Sequence, residues 1–394
     1  METTDVLVIG GGPAGAAAAI TLARGGVRCA VLEGSPAPAW KIGETLAPEA
    51  RQILAALGVW DKFQADGHLP SPGNVSLWGG DEPVEKNFIF NPHGNAWQLD
   101  RAKFEAMLLA AAGSAGARVE RGVAAQAIRR VADGVGGWEV AAADGKIFRA
   151  AWLVDASGRA SAVARQHGVA RAALDKLVAV HAVVPAPESD TDARTLIEAR
   201  PGGWWYFARV PGARRVFAFL TDADLLPDER QWRTAEWFWR QAEETNLIRT
   251  VLSGWSATSP ARSSGPERAG TSRSTSDAPK LTSAQSARLA TVYGDGWLAV
   301  GDAAQSFDPL SGEGLFHALF SGERAAQALF ENFSGRVDAL ADYAGLSASL
   351  WERFLRQRAA AYSAETRWPD TPFWQRRLAT ATSPVQAAGP NASR

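Results

Sequence analysis

Val6-Leu-Val-Ile-Gly-Gly-Gly-Pro-Ala-Gly15 is the stretch that decides the fold of this chain. A short apolar run leads into the three spaced glycines, and an alanine-rich segment from Ala16 to Ala23 continues at helical density. The pattern predicts a strand, a tight turn and a helix. Gly10 permits the sharp bend, Gly12 has no Cβ to block a pyrophosphate, and Gly15 lets the helix lie close to its strand.

The residues after this helix favour a nucleotide ligand. Val27 to Leu32 is predicted as a second strand, and Glu33 closes it where a carboxylate would bind ribose hydroxyls. The helix N-terminus would present free N–H groups to the phosphates. A glycine turn alone is weak evidence and also occurs without a ligand. The strand, helix and strand frame with an acid at its end therefore carries the prediction of dinucleotide binding.

Composition limits the classes of protein to consider. The chain has 394 residues, enough for two connected domains, and a formal net charge of −1. We therefore expect neither a nucleic acid nor a membrane as partner, and we expect no metal site. The single cysteine, Cys29, excludes a disulfide within the chain, and no apolar run approaches the ~20 residues of a spanning helix. With no recognisable signal peptide, we expect a cytoplasmic protein.

Two further segments combine a strand end with small residues. Ala151 to Asp155 is predicted as a buried strand that ends in Asp155-Ala-Ser-Gly158, which offers a carboxylate and close backbone approach to a ligand. Later, Gly296 to Asp302 forms another such strand end. Pro309-x-x-Gly312-x-Gly314 follows and leads into a helix from Leu315 to Phe330, whose positive end would face the same ligand.

The segments between these motifs predict a second domain. Runs from Leu177 to Leu226 alternate as strands of a mainly antiparallel sheet, and a hairpin is expected over 132–147. Residues 253–288 are rich in Ser, Thr, Pro, Gly and Arg, and we interpret them as a long mobile connection, with a lid or plain disorder as alternatives. From Val337 onward we expect helices, with a frayed tail after about Leu378.

Tryptophan is unusually abundant, with 16 residues. Most tryptophans simply pack in a core, and this is the alternative for each one taken singly. Two clusters, however, are dense enough to predict an aromatic-lined cavity, namely residues 203–207 and residues 232–239.

The three glycine and aspartate signals, taken in their order, resemble the flavoprotein monooxygenases of the p-hydroxybenzoate hydroxylase type and their relatives, the flavin-dependent halogenases and geranylgeranyl reductases. The resemblance covers residues 1 to about 335. It implies an α/β fold in which a Rossmann-like FAD-binding domain is interleaved with an antiparallel-sheet substrate domain and followed by a C-terminal helical segment. The expected boundaries are 1–70, 98–170 and 289–335 for the FAD-binding domain, 71–97 and 171–288 for the substrate domain, and 336–394 for the helical region.

The resemblance also implies a role for individual residues. The first turn and Glu33 would hold the pyrophosphate and adenosine ribose of FAD, Arg101 would contact the same cofactor, and Asp302 would bind the ribityl chain or the second ribose. Asp155 matches a motif that braces the first turn. The complete set expected at the cofactor is Gly10, Gly12, Pro13, Ala14, Gly15, Glu33, Lys41, Glu44, Arg101, Val123, Asp155, Asp302, Pro309, Gly312, Gly314 and Leu315. For Lys41 and Glu44 a loop ion pair is the alternative.

The chemistry implied by the family is oxygen transfer from a flavin C4a-hydroperoxide to an aromatic ring, with O2 as co-substrate. Trp204, Trp205 and Phe207 are expected to line the substrate site, and Glu313 or His317 to place a proton. A satisfied histidine on a helix face is the alternative for His317. The middle motif is Asp-Ala-Ser-Gly, as in halogenase-like members of the family, rather than the Asp-Gly form of hydroxylases that reduce their own flavin. Whether NAD(P)H binds this chain or a partner reductase supplies reduced flavin therefore stays open.

A narrower resemblance concerns the substrate. Three segments resemble those of flavoproteins that mature tryptophan-derived quinone cofactors by hydroxylating a tryptophan of a partner protein. They are Trp40 to Pro48, the Gly203-Trp204-Trp205 cluster and Arg367 to Trp374. The substrate is therefore expected to be an aromatic small molecule or such a tryptophan.

Two other functions remain as alternatives. Flavin-dependent halogenases carry a Trp-x-Trp-x-Ile-Pro signature and a lysine that captures hypohalous acid. Here the nearest match is Trp205-x-Phe207-x-x-Val210-Pro211, in which the second tryptophan and the spacing are lost. The other alternative is a flavin-binding maturation chaperone that performs no oxidation.

Overall fold

The computed structural model describes residues 2–131, 137–255 and 278–382. The strands are β1 Glu2–Ile9, β2 Cys29–Glu33, β3 Thr45–Leu46, β4 Leu69–Ser71, β5 Gly73–Leu77, β6 Val84–Asn87, β7 Ala96–Gln98, β8 Arg118–Arg121, β9 Ala125–Arg130, β10 Trp138–Ala142, β11 Ile147–Asp155, β12 Arg171–Ala173, β13 Leu177–Pro185, β14 Thr195–Arg200, β15 Gly203–Val210, β16 Arg214–Asp222, β17 Lys280–Ser283, β18 Ala287–Leu289, β19 Tyr293–Gly294, β20 Trp297–Ala299 and β21 Gln305–Ser306. The α-helices are α1 Pro13–Arg24, α2 Ala50–Ala56, α3 Trp60–Ala65, α4 Arg101–Ser114, α5 Ala162–Gln166, α6 Glu229–Trp232, α7 Ala235–Glu243, α8 Asn246–Ser253, α9 Gly314–Phe333, α10 Ala339–Ser363 and α11 Pro372–Thr382. Short 3-10 turns span Gly158–Ala160, Ala223–Leu225, Gly301–Ala303 and Pro309–Ser311.

A sheet with a parallel centre forms the first layer. β20, β11, β1, β2 and β8 run parallel in that order, and β10 and β9 extend the sheet from β11 in antiparallel pairing. The central strands carry continuous apolar runs because both faces are covered. Helices α1 and α9 pack so closely that a Cβ on Gly322 would lie 2.1 Å from the carbonyl oxygen of Ala14. Cys29 is buried here, and burial raises the pKa of its thiol to about 11.

The second large sheet is mixed but mainly antiparallel. Its order is β17-β13-β16-β15-β14-β5-β6, and only the β14–β5 pair is parallel. One face packs against α7 and α8 through an aromatic core. The opposite face meets α10 and α11. Together the two sheets confirm the predicted α/β class with an interleaved antiparallel domain and a helical C-terminal segment.

The C-terminal helices are an integral part of the second core. Tyr362 of α10 and Phe373 and Trp374 of α11 are fully buried against Trp78 and Trp204. Helix α11 continues past the predicted fraying point and ends at Thr382. The rest of the expected tail lies outside the described residues.

Two predicted connections fall partly outside the described residues. Of the expected mobile connection 253–288, residues 256–277 are not described. Its end is regular: Lys280–Ser283 and Ala287–Leu289 are strands, because their backbone groups pair with β13, β12 and β21. These strands are at odds with plain disorder at the end of the connection, and the mobile connection expected over residues 256–277 lies outside the described residues. In the hairpin, β9 and β10 pair antiparallel as expected, and residues 132–136 lie outside the description.

Within the described ranges, none of the helices has both the length and the apolar character that crossing a bilayer requires.

Candidate functional site

A cavity of about 340 Å³ is lined by residues of both large sheets. The first domain contributes the glycine turn, the loop before β3, the ends of β11 and β20 and the start of α9. The mixed sheet contributes one face of its central strands. The volume is typical of a pocket for a small molecule or part of a cofactor. The lining residues on which the following paragraphs depend are Gly12, Pro13, Ala14, Ile42, Gly43, Thr45, Arg101, Ala156, Arg159, Ala179, Tyr206, Ala218, Leu220, Thr282, Ser283, Asp302, Phe307, Asp308, Pro309, Gly312, Gly314 and Leu315.

The three glycines of the first turn have different structural roles. Gly10 has φ +108°, and a Cβ there would lie 2.3 Å from the carbonyl oxygen of Ala156. A Cβ on Gly15 would lie 2.0 Å from the carbonyl oxygen of Gly10. By contrast, no described atom lies within 4 Å of a Cβ on Gly12. Gly10 and Gly15 are thus required by packing, whereas Gly12 borders open space at the N-terminus of α1, where a phosphate would be favoured.

Glu33 holds the glycine turn from the side. Its Oε2 accepts a 2.8 Å hydrogen bond from the backbone N–H of Gly11, and its Oε1 accepts one of 2.8 Å from Ser35. The backbone N–H of Val123 donates to the carbonyl oxygen of Glu33 at 3.0 Å. Neither Glu33 nor Val123 borders the cavity itself. Both lie at the strand ends beside the turn, where the family resemblance expects the adenosine ribose.

Arg101 fixes the loop before β3 against the cavity. Its Nη1 donates to the carbonyl oxygen of Gly43 at 2.5 Å, and its Nη2 pairs with Glu105. Lys41 pairs with the same carboxylate through a 2.7 Å contact between Nζ and Oε2. Nε of Arg101 is buried and has no hydrogen-bond partner within the part of the chain that the structure describes. One donor of this buried guanidinium is therefore left for a ligand.

Glu44 points into the protein rather than toward Lys41. Its side chain is 0% exposed, and its Oε1 accepts a 3.2 Å hydrogen bond from the hydroxyl of Tyr206. The Tyr206 hydroxyl also lies 2.9 Å from Oγ1 of Thr45. Burial raises the pKa of the Glu44 carboxyl and raises the pKa of the Tyr206 phenol well above its ordinary value. The loop thus brings a buried acid directly behind the cavity wall.

Asp155 is buried and bonded within its own segment. Its Oδ1 accepts from the hydroxyl of Ser157 at 2.6 Å, and its Oδ2 accepts from the backbone N–H groups of Val163 and Ala164 at 2.9 and 3.1 Å. The carboxylate therefore caps the first turn of α5. Ala156, the residue after it, contacts Gly10 and borders the cavity.

Asp302 borders the cavity on the opposite side of the turn. It follows Gly301, whose φ of +55° directs the chain out of β20, and a Cβ on Gly301 would lie 2.7 Å from the Cβ of Ala14. The side chain of Asp302 is 39% exposed, and its Oδ2 lies 3.4 Å from Nε of Arg159. The carboxylate is thus accessible from the space beside Gly12.

The segment from Pro309 to Leu315 forms a backbone wall of the cavity. Gly312 has φ +66° and Gly314 begins α9, and no described atom lies within 4 Å of a Cβ on either. Helix α9 has no side-chain cap at its N-terminus. Its free N–H groups and positive dipole end therefore favour a polar or anionic atom of a ligand at this wall.

The two residues expected to place a proton lie outside the cavity lining. Oε2 of Glu313 lies 3.1 Å from Nε2 of His317 and 3.6 Å from Nη2 of Arg353. The hydrogen bond with His317 holds the pKa of Glu313 below its ordinary value. His317 is 5% exposed, and its ring centroid lies 4.4 Å from that of Phe307. His317 thus packs on the helix face, but its buried Nδ1 has no hydrogen-bond partner among the described residues, so the alternative of a fully satisfied histidine is met at Nε2 only.

The aromatic cluster on β15 is divided between the two faces of the sheet. Trp205 and Phe207 pack in the core with α7 and α8, away from the cavity, because successive side chains of a strand alternate. Trp204 lies on the cavity face, but it is 1% exposed and its Nε1 donates to the hydroxyl of Tyr362 at 3.1 Å. None of the three borders the cavity. The residue of this strand that does is Tyr206.

Sequence reasoning missed several residues of the cavity wall. Ala179, Ala218 and Leu220 form the sheet side beside Tyr206. Ala218 stands opposite Tyr206, and Ala179 stands opposite Leu220. Small residues in strands carry no recognisable sequence signal, and only the strand register brings them together. Alternation along β15 could have indicated Tyr206.

The donors and spaces of this site fit FAD. One cavity is bordered by all the features that a dinucleotide cofactor would use. They are the open space at Gly12, the free N-termini of α1 and α9, the accessible carboxylate of Asp302 and the unpartnered Nε of Arg101. A diphosphate, a ribityl chain and a flat ring would find matching groups along this path. The side of the cavity formed by the mixed sheet includes Ala179, Ala218 and Leu220.

Comparison with known proteins agrees with this geometry. A family model described as FAD binding domain matches residues 3–344. LodB of Marinomonas mediterranea, to which an FAD-dependent oxidoreductase activity is ascribed, is 32% identical over 387 residues, covering 96% of this chain and 98% of LodB. The 1H-pyrrole-2-carbonyl-(peptidyl-carrier protein) brominase of Pseudoalteromonas luteoviolacea is 27% identical over 342 residues, covering 85% of this chain and 79% of the brominase.

Solved structures share the fold. The myxobacterial chondrochloren halogenase CndH superimposes with a TM-score of 0.80 at 22% identity, covering 96% of this chain and 86% of CndH. The peptidyl tryptophan dihydroxylase QhpG superimposes with a TM-score of 0.73 at 24% identity, covering 96% of this chain and 79% of QhpG. At these identities the likeness establishes the architecture alone.

Proposed function

This chain belongs to the FAD-binding-domain family of flavoproteins, and from that premise we propose that it is an FAD-dependent monooxygenase that hydroxylates an aromatic ring. The observation that carries the proposal is the cavity itself. Its first-domain side has groups that suit FAD, and its sheet side places Ala179, Ala218 and Leu220 beside the hydroxyl of Tyr206. An oxidoreductase of this family therefore has room for an aromatic ring beside its cofactor.

The cofactor would be held by the groups around the first turn and α9. Backbone N–H groups after Gly12 would bind the diphosphate, Asp302 would bind a sugar hydroxyl, and Gly312 and Gly314 would let the ring lie against the backbone. FAD, once reduced and exposed to O2, supplies an oxygen atom for transfer to an electron-rich ring. The reductant would be NAD(P)H or a partner flavin reductase.

The protein's own part in the reaction is to position the ring and exclude water. Ala179, Ala218 and Leu220 form an apolar floor, and Phe307 and Ile42 border the same space. These side chains desolvate a bound ring, which protects a reactive oxygen donor from reaction with water. Tyr206 and Thr45 bring hydroxyl groups to this floor, and Thr282 and Ser283 also border the cavity.

Halogenation is the second candidate, because the relatives include a brominase that is 27% identical over 85% of this chain. The halogenases described above use a lysine to capture hypohalous acid. None of the described residues that border this cavity is a lysine. Lys41, beside the cavity loop, is held 2.7 Å from Glu105. This arrangement supports hydroxylation over halogenation.

A tryptophan of a partner protein is the substrate we favour. QhpG, which shares the fold, is described as a peptidyl tryptophan dihydroxylase essential for tryptophylquinone cofactor biogenesis. The resemblance of residues 40–48 and 367–374 to such enzymes points to the same class. An aromatic small molecule is the alternative.

The test is an oxygen-transfer assay on FAD-loaded protein with isotopically labelled O2. The protein is reduced and mixed with N-acetyl-tryptophanamide, or with the tryptophan-bearing partner protein, with and without bromide and chloride. We expect a product that carries labelled oxygen on the indole and is independent of halide. A halide-dependent product would establish a halogenase instead. Oxygen consumption equal to that of free reduced flavin, without product, would indicate a flavin-binding maturation protein.

A further inference from the structure

The substrate end of the cavity contains a pair of hydroxyl groups. The hydroxyl of Tyr206 and Oγ1 of Thr45 lie 2.9 Å apart, and both residues border the cavity. Tyr206 belongs to β15 of the mixed sheet, and Thr45 belongs to β3, which pairs with β7. The two domains therefore meet at this pair.

The hydrogen atoms of both hydroxyls have acceptors on the protein side. Oε1 of Glu44 lies 3.2 Å from the Tyr206 oxygen and Oε1 of Gln98 lies 3.0 Å from the Thr45 oxygen, and either hydroxyl can also donate to the other across their 2.9 Å separation. Gln98 is held in turn, because its Nε2 donates to Oγ1 of Thr195 at 2.8 Å. Each hydroxyl oxygen carries two lone pairs, so a lone pair is left on each for a ligand while both hydrogens are engaged within the protein. The wall thus presents acceptors to the cavity.

Glu44 is the group that fixes this orientation. Its carboxyl is 0% exposed, and its Oε2 has no hydrogen-bond partner among the described residues. A buried carboxyl holds a donated hydrogen strongly, because water cannot compete for it. The other charged groups near it are Arg101 and the Glu105 that pairs with Arg101.

The space in front of the hydroxyl pair accepts a flat ring. Ala218 lies directly opposite Tyr206 on the neighbouring strand, and Ala179 and Leu220 lie one cross-strand pair further along. Two alanines at these positions leave room that larger side chains would fill. The ring would contact an apolar floor on one side and the two hydroxyl oxygens at its edge.

We propose that Tyr206 and Thr45 form the polar subsite for the substrate ring and accept a hydrogen bond from the N–H of an indole. This inference rests on the proposed function and deepens it by naming the ring chemistry. An indole has a single polar hydrogen on its five-membered ring and no ring acceptor of comparable strength. It therefore matches a pair of hydroxyl oxygens that offer acceptors.

The test compares two ligands of nearly equal shape on FAD-loaded protein. Indole and 1-benzothiophene differ in that only indole carries an N–H. Their dissociation constants are measured by calorimetry for the unmodified chain, for Tyr206→Phe and for Tyr293→Phe, a tyrosine away from the cavity. We expect the preference for indole to fall about fivefold to tenfold in Tyr206→Phe, the range of one neutral hydrogen bond, and to persist in Tyr293→Phe.

A second variant tests the orientation. In Glu44→Gln the amide can donate to the phenol oxygen, which turns the phenol hydrogen toward the cavity. We expect this variant to lose the preference for indole while keeping its FAD. Recovery of the preference in Glu44→Asp, with the carboxylate restored, would support an orienting role over a merely structural one.

Three results would overturn the inference. The first is an equal preference for indole in the unmodified chain and in Tyr206→Phe, and the second is failure of both ligands to bind the unmodified chain. The third is loss of FAD from Tyr206→Phe, which would assign the hydroxyl to the cofactor. If any of these results is found together with halide-independent oxygen transfer to tryptophan, the indole subsite is wrong but the proposed monooxygenase function is still supported.

Discussion

The hydroxyl of Tyr362 donates a 2.8 Å hydrogen bond to Oδ2 of Asp308, and this contact joins helix α10 to the cavity wall. Asp308 is 1% exposed and also lies 3.3 Å from Nε of Arg358. The oxygen of Tyr362 accepts in turn from Nε1 of Trp204. The C-terminal helices are thus bonded to the site rather than appended to it.

Replacing Tyr362 with phenylalanine should therefore destabilise the fold. The change leaves the indole N–H of Trp204 and one bond of Asp308 without a partner in a buried place, which costs about 1–3 kcal/mol. Urea unfolding measures the loss, and Tyr293→Phe, a half-buried tyrosine, serves as the control. An unchanged unfolding free energy would mean that the contact contributes nothing.

The glycines of the first turn should separate cofactor binding from folding. Gly12→Val places a branched side chain in the open space that we assign to the diphosphate, so we expect a folded protein without flavin. Gly15→Val drives its Cβ into the carbonyl of Gly10, so we expect a fall in melting temperature as well. Flavin absorbance per chain and thermal unfolding check both. A fully loaded Gly12→Val protein would refute the assignment.

Asp302 should matter more for FAD than for stability. Its side chain is 39% exposed, and its contact with Arg159 is a partly solvated one of 3.4 Å, so truncation costs the fold little. We expect Asp302→Ala to weaken FAD binding at least tenfold, or about 1.4 kcal/mol. Fluorescence titration gives the dissociation constant. Comparable losses in binding and in unfolding free energy would argue against a cofactor role.

His181 should make the fold sensitive to acid. It lies beside the cavity strands with its Nε2 3.1 Å from Oγ1 of Thr282, and burial, followed by the charge of Lys280, lowers its pKa from 6.5 to about 4. Between these values the unfolded chain binds the proton and the folded chain does not. Stability is therefore full above pH 6.5 and falls as the pH drops toward 4.

The variant His181→Gln isolates this effect. Up to about 3 kcal/mol of the acid-induced loss should disappear, since each unit of pKa shift corresponds to about 1.4 kcal/mol. Urea unfolding of both proteins across this pH range gives the difference. Parallel profiles for the two proteins would show that His181 does not titrate with unfolding.

The sequence predicts what depends on local geometry. Gly10 and Gly15 indicate a strand, turn and helix because a Cβ at either would collide with backbone, and the predicted α/β class follows from that frame. The same holds for the strand end at Gly301 and Asp302. These features are encoded within a few neighbouring residues.

What the sequence does not predict depends on register and on which face a strand buries. Trp204 and Trp205 are adjacent in the chain, yet they lie on opposite faces of the sheet. Ala179 and Ala218 reach the same cavity only because β13, β16 and β15 are neighbours. In the sequence, Glu44 cannot be told apart from a solvent-exposed glutamate of a loop. Only its burial behind Tyr206 in the fold distinguishes it.

The central claim is that the glycine turn, Asp302 and the start of α9 surround one molecule of FAD. Titration of the cofactor-free protein with FAD, followed by the flavin absorbance of the isolated complex, tests it most directly. We expect one tightly bound FAD per chain, and none in Gly12→Val. A folded, colourless protein that cannot be reconstituted with FAD would contradict it.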